Sequence, residues 1–210
     1  MELPSRLMEV AVDQMASLPG IGRKTALRLV LHLLKREEDR VASFAQSFID
    51  LRAGVRPCPT CANLTEAEQC SICADPNRDA RTVCVVEDLR DLLAIEQLGL
   101  FKGRYHVLGG VISPMDGVGP ADLAIESLVA RFADAAWVAG TDDGLPVEVI
   151  FALPTTMEGE TTAFYLYKKL APLGVRVTAI ARGIAVGDDL QHADEATLAQ
   201  SLNQRLPYST

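Results

Sequence analysis

No apolar run in the 210-residue chain approaches the roughly 18 residues that a membrane helix needs, so a membrane-spanning role is not read from it. The opening stretch, MELPSRLMEVAVDQ, meets charge every few residues and has no apolar secretory core. The expectation is a cytoplasmic protein. No stretch has the form GxxxxGK[ST], so nothing supports a phosphate-gripping loop or ATP hydrolysis. Internal repeats and low-complexity segments are also missing. Aromatic residues make up 5% of the chain, but 49% is hydrophobic and 23% charged, which fits a globular protein rather than a disordered one. Cysteine is scarce outside one place: of five cysteines, only Cys84 lies beyond residues 58–73.

That place reads CPTCANLTEAEQCSIC, with Cys58, Cys61, Cys70 and Cys73 in two C-x2-C pairs. A C-x2-C pair folds into a tight knuckle that aims two thiolates at one centre. Two such knuckles make a tetrahedral all-sulfur site suited to Zn2+. The intervening loop is polar and has no core of its own, so the ion would supply the folding energy, about 10–16 kcal/mol in such peptides. The alternatives are two disulfides or four free thiols; a reducing cytosol favours the metal. With four thiolates no ligand position is left for water, so one structural Zn2+ per chain is expected. The loop carries Glu66 and Glu68 and neither Lys nor Arg, so phosphate would be repelled from it. The cluster therefore reads as a clip rather than a nucleic-acid reader. Cys84, in an apolar run, reads as inert core.

The formal net charge of −8 is unevenly spread. Residues 1–57 hold nine Lys/Arg against seven Asp/Glu, and residues 58–210 hold eleven against twenty-one. If DNA is a ligand, the N-terminal segment must carry it, and repetition in an oligomer would help. Amphipathic patterns predict helices over 5–17 and 23–36, split by Leu18-Pro19-Gly20-Ile21-Gly22, and a third over about 39–52. Gly20 suits a positive φ, and Gly22 lets a partner approach the backbone with no Cβ in the way. The second helix then offers free N–H groups to a phosphate, with Arg23, Lys24 and Arg28 beside it. Such contacts read the backbone and not the base sequence. The stretch LPGIGRKTA resembles a helix-hairpin-helix motif; the alternative is a plain packing joint between two helices.

Beyond the turn at 75–79 the period changes. The pattern predicts strands at 83–86, 105–109, 147–153 and 175–180. Helices are predicted at 88–98, 122–133, 160–171 and 192–204. Strands alternating with helices imply a parallel sheet. Glu87 then sits at the C-terminal end of the first parallel strand, where sites form in open α/β sheets. Val85-Val86-Glu87 resembles the start of a Toprim domain. In that group the strand-end Glu works with an Asp-x-Asp pair after a later strand to hold Mg2+. Here the later strand runs into Leu153-Pro154-Thr155, with Glu158 and Glu160 beyond it, and Asp142 and Asp143 precede it. Efficient Mg2+-dependent cleavage is not expected. A solvated acid at Glu87 and a weak metal or partner role both stay open.

Taken in order, LPGIGRKTALRL, the paired C-x2-C with NLTE inside it, CADPNRD, CVVE, GRYHVLGGVISPMDGVGP, PTTMEGETTA and VGDDLQHADEATL resemble the RecR family of bacterial recombination mediators. The resemblance covers nearly the whole chain. It implies an α+β multi-module fold: a helix-hairpin-helix at 1–57, a four-cysteine zinc finger at 58–73, a Toprim parallel sheet at 81–177 and a C-terminal helical arm at 178–210. It further implies ring-like tetramers that encircle DNA and act with RecO and RecF to place RecA on single-stranded DNA coated with SSB protein. No enzymatic activity is implied; a Toprim nuclease or primase-like enzyme is the competing reading. Carried over, the zinc ligands fall on Cys58, Cys61, Cys70 and Cys73, and the DNA contacts on Lys24 and Arg28. The Toprim acids fall on Glu87 and Glu158, where RecO would dock. Arg23 departs from the uncharged residue usual after PGIG and is expected to add DNA affinity. Ala185-Val186-Gly187-Asp188 departs from the usual P-V-G-G.

Overall fold

The structure is a computed structural model, and it describes residues 3–133, 147–184, 187, 189–203 and 205. Two compact units divide the chain, Met1–Val55 and Arg56–Thr210.

The first unit is helical: α1 (Arg6–Ala16), α2 (Arg23–Leu33) and α3 (Glu38–Gly54). Val12 of α1 and Ala26 and Val30 of α2 are buried together, with Ala11, Met15, Ile21 and Leu27 packed around them. The hairpin between them turns at Gly20, whose φ of 77° is the left-handed conformation that glycine adopts without a steric penalty. Gly22 precedes α2 with an ordinary φ of −77°. α3 is the longest helix described, yet none of its residues is buried. Phe44 and Phe48 meet edge to face, with ring centroids 5.0 Å apart, on its exposed surface.

The second unit opens with the short antiparallel pair β1 (Arg56–Pro57) and β2 (Leu64–Thr65) and the single turn α4 (Ser71–Ala74). Then follow β3 (Asp79–Val86), α5 (Leu89–Gln97), β4 (Gly103–Val107), α6 (Ile125–Ala133), β5 (Glu148–Ala152), α7 (Met157–Leu170), β6 (Arg176–Ala179) and α8 (Glu195–Asn203). The four longer strands form one parallel sheet in the order β4-β3-β5-β6.

Side-chain alternation along β3 separates two cores. Val83 and Val85 join Val149 and Phe151 of β5, Ile125, Leu128 and Phe132 of α6, and Leu166 and Leu170 of α7. Cys84 and Val86 point the other way, to Tyr105, Val107, Leu92 and the four clustered cysteines. The zinc knuckles therefore pack into one face of the sheet rather than hanging from it.

β3 begins at Asp79, four residues before the predicted strand. A register shift between Asp79 and Val83 breaks its pairing with β4, and the apolar pattern starts only after that irregularity. β4 lies at 103–107 rather than 105–109, because Gly109 and Gly110 carry positive φ and end the strand. α7 begins at Met157, not 160, because the Thr156 side chain accepts from the Gly159 N–H and caps it there. Ala185 and Asp188, like Asp142 and Asp143, lie outside the described residues.

Candidate functional site

Two arrangements in the chain have chemistry to offer, one in each unit. The first is the cysteine cluster. β1 and β2 bring Cys58 and Cys61 together, and the Cys58 N–H donates to the Asn63 carbonyl at 2.6 Å to close that knuckle. Ala62, with φ of 59°, completes its turn. The second knuckle is α4, where the Cys73 N–H donates to the Cys70 sulfur at 3.4 Å. Ligand atoms of Cys58, Cys61, Cys70 and Cys73 all lie within 4.8 Å of one another, and all four residues are buried. Sulfurs bound at about 2.3 Å to a tetrahedral zinc stand about 3.8 Å apart, so the spacing fits the ion.

The sulfurs also fit it electronically. Burial, the largest single effect, raises the Cys58 pKa, but the backbone N–H groups of Cys70, Thr60 and Cys61 together bring it below its ordinary value. The hydrogen bond from Cys61 brings Cys73 down to about 6 and pushes Cys61 itself far up, as four crowded sulfurs must share protons when no metal replaces them. The site holds one structural Zn2+, and Zn2+ supplies the positive charge that lets all four thiols ionise together.

The cluster is fastened to the sheet. The Val107 N–H of β4 donates to the Cys61 carbonyl at 2.8 Å. β4 is an edge strand, so its outward groups would otherwise lack partners. Farther along the same edge, the Tyr105 carbonyl accepts from Arg131 at 3.0 Å and the Gly103 carbonyl from Arg78 at 3.3 Å. Arg78 is fixed in turn by a two-point pair with Glu96, at 2.6 and 2.8 Å.

The second arrangement is α2. Its N-terminus follows Gly22, which has no side chain to cap it, and a Cβ built there meets nothing within 4 Å. Lys24, Arg28, His32 and Lys35 line one shallow groove along the helix, together with Leu27 and Leu31. Steps of four residues keep Lys24, Arg28 and His32 on one stripe of α2, and Lys35, in the turn after the helix, extends the groove. Among the described residues, Lys24, Arg28 and Lys35 make no ion pair. Arg23 does: its Nη1 lies 2.8 Å from Asp13 Oδ1 and its Nη2 lies 3.7 Å from Glu9 on α1. The charge expected to add to DNA affinity is thus partly neutralised inside the hairpin, although the pair is half exposed.

The strand-end acids are dispersed in their bonding. Glu87 follows β3, half-buried, and its pKa is raised by burial and then by Asp91 and Asp88. Glu158 and Glu160 open α7. Gly159 between them allows a close approach, since a Cβ there would run into the Pro154 carbonyl. Glu160 pairs with Arg182 of the C-terminal segment. Among the described residues, the four cysteines are the only group of three or more potential metal ligands brought together. Glu87, Glu158 and Glu160 share the C-terminal end of the sheet without forming such a group.

Models of known families match the chain in four stretches. They are a RecR helix-hairpin-helix at 8–51, a RecR four-cysteine zinc finger domain at 55–75, a Toprim domain at 81–181 and a RecR C-terminal region at 183–205. A protein of Bacteroides thetaiotaomicron named Recombination protein RecR is 54% identical over 204 residues, covering 97% of this chain and 95% of the relative. The chain belongs to the RecR family. The RecR of Porphyromonas gingivalis is 53% identical over 98% of this chain and 95% of its own length. That of Flavobacterium psychrophilum is 50% identical over 99% and 97%. The RecR zinc-finger match spans all four buried cysteines.

Sequence reasoning missed Arg131 and Glu96. Arg131 had a visible signal: a cation three residues after the core position Leu128, on the inner side of α6. Glu96 had none, because an acid late in an amphipathic helix reads as solvated.

Proposed function

We propose that the chain is a non-enzymatic mediator of DNA repair and recombination that binds DNA without regard to sequence. In this reading it works as a ring-like oligomer, most simply a tetramer, with RecO and RecF to help load RecA onto single-stranded DNA coated with SSB protein. The observation that carries the DNA contact is the stripe of Lys24 and Arg28, continued by His32 and Lys35, beside the uncapped start of α2. Successive cations four residues apart rise about 6 Å along the helix, close to the spacing of neighbouring phosphates on one strand. Gly20, Gly22 and Arg23 shape and flank this contact. One such stripe is weak; several facing a shared opening would act together.

Self-association is supported by α3. Val41, Phe44 and Phe48 of α3, with Leu33 and Leu34 from α2 and its end, line an open apolar groove of about 1220 Å³ within the first unit. An exposed surface of that kind marks an interaction site. Glu87 and Glu158, with Glu160 held by Arg182, form the surface proposed for RecO. Pro154 and Thr155, where the resemblance would need the first Asp of an Asp-x-Asp pair, support a docking role over Mg2+-dependent chemistry. The proposed module limits are 1–57, 58–73, 81–177 and 178–210, and the proposed location is the cytoplasm.

The test is charge reversal at Lys24 and Arg28, with binding to single- and double-stranded DNA followed across a salt series. The reading requires much weaker binding and a flatter salt dependence at unchanged thermal stability. Parent-like binding by the double variant would refute the assignment.

A further inference from the structure

Arg131 is an unusual residue to find where it is. It sits on α6, whose Ile125, Leu128 and Phe132 fill the apolar core, and it is itself only 8% exposed. A guanidinium cannot shed its charge by deprotonating, so burial is tolerated only where negative charge and hydrogen-bond acceptors surround it. One acceptor is the Tyr105 carbonyl on the outer edge of β4, 3.0 Å from Nη1. Two residues farther along the same edge, about 7 Å away, Val107 holds the Cys61 carbonyl. The arginine and the first zinc knuckle thus grip neighbouring groups of one strand edge.

Charge gives the arrangement its sense. Four thiolates around one Zn2+ carry a net charge of −2, buried in a medium that strengthens electrostatic interactions. Burial weakens the hold of Arg131 on its proton, and the negative groups that restore it include Cys73, Cys61 and Cys58, three of the four ligands. Among the described residues, Arg104 opposes it, and His106 also feels its charge. Burial and then the neighbouring Arg131 hold His106 neutral, against the pull of its bond to Ala124. Arg131 is thus a fixed cation held at the β4 edge to which the first knuckle is also bound, within electrostatic reach of the ligand thiols.

We propose that Arg131 is a positioning residue of the zinc centre, a permanent counter-charge that holds the dianionic four-thiolate site against the edge of β4 and slows loss of the ion. The inference uses no residue of the proposed DNA face, so it does not rest on that reading.

The experiment compares the zinc-loaded full-length chain with Arg131→Met, neutral and of similar length, and Arg131→Lys, which keeps the charge but loses the guanidinium fork. Zinc transfer to a chromophoric chelator is timed at fixed pH. The sulfur-to-metal charge-transfer bands of the Co2+-substituted proteins are recorded alongside. Groups that support metal ligands from behind typically alter metal affinity by about 10- to 100-fold. Arg131→Met should release zinc faster by a factor in that range and shift the Co2+ bands, whereas Arg131→Lys should stay near the parent in both. A residue that only packed would change thermal stability without moving the bands. Parent-like release from Arg131→Met overturns the proposal, and so does release from Arg131→Lys as fast as from Arg131→Met. Should Arg131→Met not fold, Arg131→Lys decides alone: slow release supports the counter-charge, and fast release refutes it.

Discussion

The Val107 N–H donates to the Cys61 carbonyl at 2.8 Å, so the first zinc knuckle supplies a hydrogen bond that the edge strand β4 lacks from the sheet. The hairpin has little apolar surface of its own, so the metal and this fastening to the sheet together hold its shape. Stripping zinc with a chelator, or replacing Cys61 with Ser, should release the knuckle and leave this edge open. The expected outcome is faster amide exchange at Val107, lower thermal stability and increased self-aggregation. DNA binding should fail only as the fold or the assembly fails. Unchanged stability and exchange in the metal-free chain, with DNA binding lost, would instead make the cluster a direct DNA contact.

The pairing of Arg23 with Asp13 and Glu9 separates it from its neighbours on α2. A cation already facing two carboxylates releases few counterions when a phosphate arrives. Arg23→Ala should therefore weaken DNA binding less than Lys24→Ala or Arg28→Ala. Each of those two should lower the salt slope by about one. Lys35→Ala should resemble them if DNA follows the whole stripe. Equal slopes for Lys35→Ala and the parent would confine the contact to the start of the helix.

The legible part of the molecule is the part written in local chemistry. Paired C-x2-C, Pro-Gly between two amphipathic runs, and Val83–Val86 each report structure built from neighbours in sequence. What is not legible depends on tertiary partners. The early start of β3 at Asp79 follows an irregularity in pairing with β4. Asp13 lies ten residues from Arg23, and only the closed hairpin sets them side by side. Arg131 and Tyr105 are 26 residues apart, so although the spacing from Leu128 puts the arginine on the inner side of α6, nothing in α6 alone names the carbonyl it meets. The α3 sequence reads as an ordinary helix, because one chain cannot distinguish a core face from an interface.

His106 should make the fold sensitive to mild acid. It is fully buried in β4, and its Nε2 pairs with the Ala124 carbonyl at 2.8 Å, which assigns the proton to that nitrogen. Burial pushes its pKa from 6.5 down to about 4. Above pH 6.5 neither state carries the extra proton and stability is full. Between about 6.5 and 4 the unfolded chain binds a proton that the folded chain refuses, so stability falls as pH falls. The full loss amounts to about 3 kcal/mol. His106→Gln, which can still donate to Ala124, should flatten this part of the pH–stability curve. Identical slopes for parent and variant, in denaturant titrations between pH 7 and 5, would show that the imidazole does not govern it.

Glu96 should act in a lower window. The Arg78 hydrogen bonds hold its carboxyl below the usual range against the opposing effect of burial, and the Tyr105 hydroxyl adds a bond at 2.8 Å. Because the folded pKa is depressed, the stabilisation is complete above the unfolded value near 4.5 and is lost as pH falls through the folded one. Both side chains are largely shielded from water, so the charge-assisted bonds contribute about 2–3 kcal/mol rather than the near-zero value of a surface pair. Glu96→Gln should lower stability at pH 7 by that order and loosen Arg78, which also supports the Gly103 carbonyl on the β4 edge. The deficit should shrink as the pH falls below the unfolded value near 4.5 and close as the parent's own carboxyl gains a proton. A deficit that stayed constant from pH 7 to pH 3 would mean that Glu96 acts through shape alone, and that the charge facing Arg78 adds nothing to the edge it braces.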